Sequence, residues 1–203
     1  MPQCPECGLG YVPEVPEDRR YHKKFHDTVV NGLRAPSARS DHIIWEEGAH
    51  RITVVNFRSP LVQRRRAERI GLLAHKDTPY DFAPYCATED PDDRNVHLFL
   101  GYAADRGIAL LLVEKRSTVW RCTWEEFEAH KAQKLPDHPP MWSVGLAWVN
   151  RRHRRRGWAH RLAMETARSF GLNVQQLGWY TPFTKAGEAM VRNLCPTAFY
   201  IAK

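Results

Sequence analysis

The chain has 203 residues, a net charge of +7 and 43% hydrophobic residues, enough for one ordinary domain with a small additional unit. Its longest apolar run, residues 108–113, is too short to cross a bilayer, and no secretory signal is visible, so we expect no membrane association. The positive charge favours an acidic partner, and charge alone leaves nucleic acid, a nucleotide cofactor and an acidic protein surface as alternatives.

The amino-terminal segment, residues 1–34, is predicted to be a zinc finger. It contains four residues with the spacing Cys-x2-Cys-x14-His-x3-His of a tetrahedral zinc site: Cys4, Cys7, His22 and His26. Pro16-Glu17-Asp18 predicts the start of a helix that places both histidines one turn apart, facing the same metal. A unit of this size needs the metal to fold. Zinc fingers that recognise DNA usually occur in arrays, and one finger is present here, so a structural or docking role is favoured.

The chain has five cysteines, an odd number that includes the metal-type pair. This usage favours metal binding in a reducing compartment over a disulfide framework, so we expect an intracellular protein, cytoplasmic or nuclear. The scattered Cys86, Cys122 and Cys195 are predicted to be packing thiols. His97 and His153 are expected to be ordinary surface or turn residues rather than bases.

A second domain is predicted over residues 42–203, after a linker at 35–41. Its first half is expected to contain strands 43–45 and 51–57, a helix capped by Ser59 with Pro60 as its first residue and ending near Ala74, and strands 96–102 and 108–114 around a turn at 104–107. A strand at 118–122 and a helix opened by the capping box of Thr123 and Glu126 follow. The last elements are expected to be a strand at 142–149, a helix at 158–170, a strand at 177–180, a helix at 184–193 and a strand at 198–201. The polar, proline-containing residues 76–95 predict a long loop, which could face a substrate.

The segment from Trp142 to Phe170 is the most informative part of this domain. A buried strand passes through the basic residues 150–157 into an amphipathic helix, and Gly171 is the expected residue after the helix end. Such a turn concentrates free backbone N–H groups and positive charge, which suits the diphosphate of a nucleotide-like cofactor. A solvated arginine run ahead of an ordinary helix is the alternative, and the flanking strand and helix favour the cofactor.

The turn contains Arg154-x-x-Gly157-x-Ala159, which resembles the signature of the GNAT superfamily of acetyl-CoA-dependent N-acetyltransferases. The order of the predicted elements also resembles a GNAT fold, an α+β architecture with a mixed, mostly antiparallel central sheet flanked by helices. With the finger directly ahead of it, the chain resembles the cohesin acetyltransferases, the Eco/ESCO family. The finger, the strand 111–114, the cofactor segment 148–162 and the segment 179–187 resemble the corresponding segments of that family.

The resemblance implies direct transfer of an acetyl group from acetyl-CoA to a lysine or another primary amine, on a protein or a small acceptor. The diphosphate is expected to meet backbone N–H groups of residues 154–159, with Arg154 and Arg156 adding charge-assisted bonds. A backbone N–H near Val149 is expected to polarise the thioester oxygen. The implied cofactor-binding residues are Val149, Arg154, Arg155, Arg156, Gly157, Trp158 and Ala159.

Two residues are candidates for proton transfer. Glu114 ends an apolar strand beside the expected cleft and is the leading base, although a solvated carboxylate at a strand end fits the sequence equally well. Tyr180 is the candidate donor to the departing thiolate, and a packing tyrosine is the alternative.

Departures from the family pattern lie on the acceptor side. Ala186 stands where the family has Asp before its last Gly, and Arg151 stands where it has Ser. The acceptor, with an acidic surface as one expectation, is therefore not implied to be a cohesin subunit. These departures support a second hypothesis, a zinc-dependent nucleic-acid-binding or interaction module whose GNAT domain is catalytically impaired.

Overall fold

The computed structural model describes residues 1–77, 87–88 and 95–202. The finger segment consists of a knuckle and one long helix, α1 (Pro16–Asn31), which begins at the predicted proline and has Glu17 and Asp18 in its first turn. In the knuckle, the Gly8 N–H donates to the Cys4 carbonyl and the Cys4 N–H to the Leu9 carbonyl, both at 2.9 Å. Gly8 has φ +72°, a left-handed conformation that glycine adopts without steric cost.

Ten strands form one sheet within the described residues. They are β1 (Leu33–Arg34), β2 (Ile43–Glu47), β3 (His50–Val55), β4 (Val96–Ala103), β5 (Arg106–Arg116), β6 (Val119–Thr123), β7 (Gln133–Lys134), β8 (Met141–Val149), β9 (Gly178–Trp179) and β10 (Ala198–Ala202). Their order is β2-β3-β4-β5-β8-β9-β10-β6-β7, with β1 paired to β5. Strand β9 runs parallel to β8 and β10, and the other pairs are antiparallel, which confirms the predicted mixed, mostly antiparallel sheet.

Helices cover both faces of the sheet: α2 (Leu61–Asp77), α3 (Trp124–Glu128), α4 (Trp158–Ser169) and α5 (Lys185–Leu194). Successive side chains of a strand point to opposite faces, so Leu98 and Leu100 pack in the core beneath α2 while Phe99 packs in the core beneath α4. In the described part of the chain, no helix is both long and apolar enough to span a membrane.

Helix α2 differs from its prediction at both ends. It begins at Leu61, and the Ser59 hydroxyl accepts the Asn56 N–H at 3.0 Å, so the predicted cap and first residue lie before the helix. It ends at Asp77, beyond the predicted Ala74. Most of the predicted 76–95 loop, with Cys86, lies outside the described residues.

Strand β1 joins the finger to the sheet. Its Leu33 pairs with Gly107 of β5, and the next residue, Ala35, is buried and donates its N–H to the Asp105 carbonyl at 2.6 Å. The predicted linker therefore begins with a residue fixed to the larger domain. The division into 1–34 and 42–203 stays a prediction.

Candidate active site and metal centre

A cleft opens where β8 and β9 separate. The strands pair along Ser143–Val144 and Gly178–Trp179, and the Tyr180 N–H donates to the Val144 carbonyl at 3.0 Å. Beyond this point β8 continues to Val149 with no further strand on that side among the described residues. A cavity of about 690 Å³ lies there, lined by the edge of β8, the start of α4 and the residues that follow β9.

Backbone N–H groups of β8 point into this cleft. The Asn150 N–H donates to the Ile108 carbonyl at 2.8 Å, on the side of β5. Since the N–H groups along a strand alternate between its two edges, those of Ala147 and Val149 point away from β5, toward the cavity. The Val149 N–H, predicted to polarise the thioester, therefore faces the cleft.

The turn between β8 and α4 presents further N–H groups. Arg155 and Gly157 have positive φ values of 60° and 80°, and Gly157 is the N-cap of α4, where no side chain caps the helix. The first N–H groups of a helix have no partner within it, so those of Trp158 and Ala159, which have none among the described residues either, can bind a ligand. A Cβ added at Gly157 would meet no atom within 4 Å. These features make an anion site of the kind a diphosphate fits.

The arginine side chains of the turn have different partners. The Arg154 Nε donates to the Val149 carbonyl at 2.9 Å, and its guanidinium forms an ion pair with Asp77 at the end of α2. Arg154 is thus held against the cleft wall, and its predicted contact with the diphosphate stays a prediction. Arg155 and Arg156 are exposed and form no ion pair within the described residues, which leaves them available to an anion.

The Trp158 side chain is buried and anchors the start of α4. Its ring meets Trp45 edge-on at 6.4 Å between centroids, and a Cβ at Gly101 would lie 3.0 Å from it. The contribution of Trp158 to a ligand is therefore limited to its backbone. Gly101 was not identified from the sequence, because its close approach to Trp158 depends on the packing of α4 on β4.

Glu114 and Tyr180 are brought together beside the cleft, which Tyr180 lines. The Tyr180 hydroxyl donates to Glu114 Oε1 at 2.6 Å, and Arg116 Nη2 donates to the same oxygen at 2.7 Å. Arg116 also donates through Nε to the Tyr180 oxygen. Arg116 was missed in the sequence because it lies beyond the predicted end of the strand, where a basic residue gives no local signal.

Gly145 makes room for this group. It is the extra residue of a β-bulge, since β5 pairs Leu112 with Leu146 and Val113 with Val144. A Cβ at Gly145 would lie 3.2 Å from a Leu112 methyl and 3.6 Å from Glu114 Oε1. The missing side chain leaves open the space between Glu114 and the cleft. No sequence motif pointed to this glycine.

The four predicted metal ligands also meet. One ligand atom from each of Cys4, Cys7, His22 and His26 lies within 4.8 Å of the others. His22 Nε2 is buried and has no hydrogen-bond partner among the described residues, as expected of a nitrogen that binds a metal. The backbone N–H groups of Cys7 and Glu6 lower the pKa of the Cys4 thiol to about 6, which favours the thiolate. The residues fit a zinc ion.

Glu6 supports this cluster. His26 Nδ1 lies 3.3 Å from Cys4 Sγ, and its Nε2 lies 3.2 Å from Glu6 Oε2. A carboxylate on the second nitrogen of a ligating histidine fixes the ring orientation in metal sites. Glu6 was missed because its contact with His26 exists only in the folded finger.

The other reactive residues lie outside the cluster of Glu114 and Tyr180. Cys122 and Cys195 are buried, as predicted for packing thiols. His97 is not the predicted surface residue: it is half-buried, with its ring centroid 4.9 Å from that of Trp142 and 5.4 Å from that of Phe170. His153 follows the expectation, since it lies in the turn before α4 and lines the cavity.

Comparisons with known proteins identify relatives of both parts. A family model described as the zinc-finger of acetyl-transferase ESCO matches residues 1–28. The N-acetyltransferase ECO1 of Candida glabrata is 26% identical over 214 residues, covering 92% of this chain and 81% of the relative. The N-acetyltransferase ESCO2 of Danio rerio is 23% identical over 98% of this chain, which spans 34% of that relative's length.

A solved structure of the xEco2 acetyltransferase domain, bound to a CoA conjugate, superposes with a TM-score of 0.65 at 17% identity, over 81% of this chain and 98% of that one. The chain is thus similar to Eco/ESCO proteins in its finger and, at 23–26% identity, over most of its length. The predicted resemblance to that family, the predicted GNAT fold with a zinc finger and the predicted assignment to the acetyltransferases are thereby confirmed. The roles of individual site residues stay predictions.

Proposed function

We propose that this chain transfers the acetyl group of acetyl-CoA directly to a lysine or another primary amine. The observation that supports the proposal is the position of Tyr180, which is hydrogen-bonded to Glu114 and lines a cleft whose other end is the diphosphate-type turn. The groups proposed to activate the nucleophile, to polarise the thioester and to bind the phosphates thus lie along one continuous surface. A domain that served only as an interaction module would not need this alignment.

Acetyl-CoA is the cosubstrate in this proposal. The N–H groups of Trp158 and Ala159 bind its diphosphate at the amino end of α4, and Arg155 and Arg156 add charge from the exposed side of the turn. The Val149 N–H donates to the thioester oxygen, where negative charge develops during attack. Arg154 shapes the wall through its bonds to Asp77 and Val149.

Glu114 and Tyr180 carry out the proton transfers of the reaction. The ammonium group of the acceptor first loses one proton to water. The neutral amine nitrogen then forms its bond to the acetyl carbon while the carbon–sulfur bond breaks, and Glu114 accepts the second proton that this nitrogen loses. Tyr180 gives a proton to the departing thiolate. The 2.6 Å hydrogen bond between the two side chains then returns the proton from Glu114 to the Tyr180 oxygen, so the pair is restored without a covalent enzyme intermediate.

Zinc has a structural role in the proposal, held by Cys4, Cys7, His22 and His26. When bound, it crosslinks the knuckle to α1, a connection that so small a unit requires for folding. No ligand position is left for a substrate once four protein atoms bind the metal, so we assign it no step in the reaction. The finger occupies residues 1–34 and the acetyltransferase domain residues 42–203.

The acceptor is proposed to present an acidic surface. The exposed side of α1 contains four basic residues without an ion pair within the described part of the chain: Arg19, Arg20, Lys23 and Lys24. With a net charge of +7, this surface favours acidic partners over basic ones. Nucleic acid binding is the competing expectation, and a steep decrease in affinity with rising salt would identify it.

The test is acetyl transfer detected by mass. Zinc-loaded protein is incubated with isotopically labelled acetyl-CoA and a cell lysate, and labelled acetyl-lysine is quantified in the products. The matched control is the Tyr180→Phe variant, which keeps the ring but has no proton to donate. We expect labelled products well above those of the variant. Equal labelling with wild type, variant and no enzyme would reject the proposal.

A further inference from the structure

The finger contacts the larger domain at the turn that is proposed to bind acetyl-CoA. Asn150, the first residue after β8, has a relative exposure of 2%. Its side-chain Nδ2 donates to the Val29 carbonyl of α1 at 2.9 Å, and its Oδ1 accepts the Arg152 N–H at 3.1 Å. One buried amide therefore connects the finger helix to the start of the turn.

Arg152 adds a second, more exposed connection. Its Nη1 donates to Asn31 Oδ1 at 2.9 Å and its Nη2 to Glu6 Oε1 at 3.2 Å. The other oxygen of Glu6 lies 3.2 Å from His26, one of the four residues of the metal centre. The path from the metal centre to the turn thus consists of three side chains in direct contact.

The opposite side of the turn is held by α2. Asp77 accepts Arg151 Nε at 2.5 Å, forms the ion pair with Arg154 and accepts the Trp148 indole N–H at 3.1 Å. The turn is therefore fixed between α1 and α2 before α4 begins. Removal of α1 would leave only one of these two supports.

We propose that α1 is a structural part of the acetyl-CoA site, with Asn150 as the positioning residue that transmits its support. The inference rests on the proposed function, because it assumes that the turn binds the diphosphate. Asn150 acts through Arg152 and the turn rather than by touching the ligand. The buried Asn150 bonds should matter more than the exposed pair of Arg152 and Glu6, since solvent screens exposed ion pairs. A finger that served only to dock a partner would leave acetyl-CoA affinity unchanged.

Calorimetric titration of acetyl-CoA into the zinc-loaded full chain tests this inference. We expect Asn150→Ala to weaken binding about tenfold, within the usual range of coupling between linked sites, and to raise the KM for acetyl-CoA while kcat at saturation is retained. Asn150→Asp keeps the acceptor for the Arg152 N–H but loses the donor to Val29, so it should bind weakly as well. If Asn150 only capped the turn, the Asp variant would bind like wild type, which would overturn the proposal.

The matched control is Arg34→Ala. Arg34 is an exposed arginine whose ion pair with Asp105 at 3.1 Å also joins the finger side to the larger domain, but away from the turn. We expect Arg152→Ala to weaken binding about twofold and Arg34→Ala to leave it unchanged. Thermal unfolding confirms that each variant is folded. An equal loss of acetyl-CoA affinity in Arg152→Ala and Arg34→Ala would show that the contacts of Arg152 have no specific role and would overturn this part of the inference.

Coupling must also act in the reverse direction. If α1 supports the acetyl-CoA site, saturating acetyl-CoA should slow the release of zinc to a colorimetric chelator in wild type, and this protection should shrink in Asn150→Ala. Wild-type binding of acetyl-CoA without any such protection would overturn the inference alone. A wild-type protein that does not bind acetyl-CoA would overturn both the inference and the proposed function.

Discussion

The Tyr180 hydroxyl donates a 2.6 Å hydrogen bond to Oε1 of Glu114, a residue 66 positions away in the sequence. The bond joins the end of β5 to the segment that leaves β9, and it lies at the point where β8 and β9 separate. The relationship connects the candidate base to the candidate proton donor. Because of this bond, a substitution of either residue should alter the position and the proton affinity of the other side chain.

The Glu114→Gln variant should lower the rate of the chemical step without weakening the binding of acetyl-CoA. The amide has nearly the same shape and can still accept the Tyr180 hydroxyl, but it cannot take a proton from the acceptor. We expect kcat to fall about 100-fold or more, with little change in the dissociation constant of acetyl-CoA. Steady-state kinetics and calorimetry measure the two quantities. The exposed Glu46→Gln variant is the control, and wild-type kcat in Glu114→Gln would exclude Glu114 as the base.

Gly145→Ala should narrow the cleft beside the same pair. The added methyl would lie 3.2 Å from Leu112 and 3.7 Å from the Tyr180 ring, so Leu112 must shift by a few tenths of an ångström. We expect kcat/KM for acetyl-CoA to fall about tenfold, because small misplacements of reacting groups are costly.

The control for this change is Gly71→Ala, at a helical position of α2 where a Cβ would meet nothing within 4 Å. Alanine there should leave the kinetics unchanged and raise the free energy of unfolding by about 0.5–1 kcal/mol. Similar kinetic losses in both alanine variants would show that the effect at Gly145 is not local to the cleft.

His97 should make stability depend on pH. Burial beside Trp142 and Phe170 lowers the pKa of the His97 imidazole below its ordinary value of 6.5, so the folded state favours the neutral ring. Its contribution to stability is therefore complete above the unfolded pKa and is lost as the pH falls below it. Urea unfolding at about pH 7.5 and about pH 5, on either side of the ordinary histidine pKa, measures the change.

His97→Phe should remove part of this pH dependence, because a phenylalanine fills the aromatic site without titrating. Loss of zinc at low pH affects both proteins, so the comparison between them isolates His97. The exposed His42→Gln variant is the control and should follow wild type. If the free energy of unfolding of wild type and of His97→Phe decreases by the same amount on acidification, burial of His97 does not contribute to the pH dependence of stability.

The metal centre and the diphosphate-type turn could be predicted because their signals are local. The spacing of Cys4 and Cys7 and of His22 and His26 follows from the geometry of one knuckle and one helical turn. Gly157 ahead of an apolar helical pattern likewise marks a turn between strand and helix. Gly171, with φ +68°, ends α4 as predicted.

The remaining parts of the site depend on contacts between distant segments. Asp77 meets Arg154 because α2 continues past its predicted end, and Arg116 meets Glu114 because β5 extends to that residue. Element ends are fixed by tertiary packing rather than by local propensity, so these pairings have no sequence signature. Gly145 is similar, since its bulge is defined by the register between β5 and β8.

The central claim is that the turn leading into α4 binds the diphosphate of acetyl-CoA. Calorimetric titration of acetyl-CoA into zinc-loaded wild type and Gly157→Glu tests it most directly, because glutamate places a side chain and a negative charge where the anion is expected and disfavours the left-handed backbone. The account predicts micromolar binding by wild type, as is typical of enzyme cosubstrates, and no detectable binding by the variant. Equal affinity in the two proteins, or no binding by wild type, would contradict it.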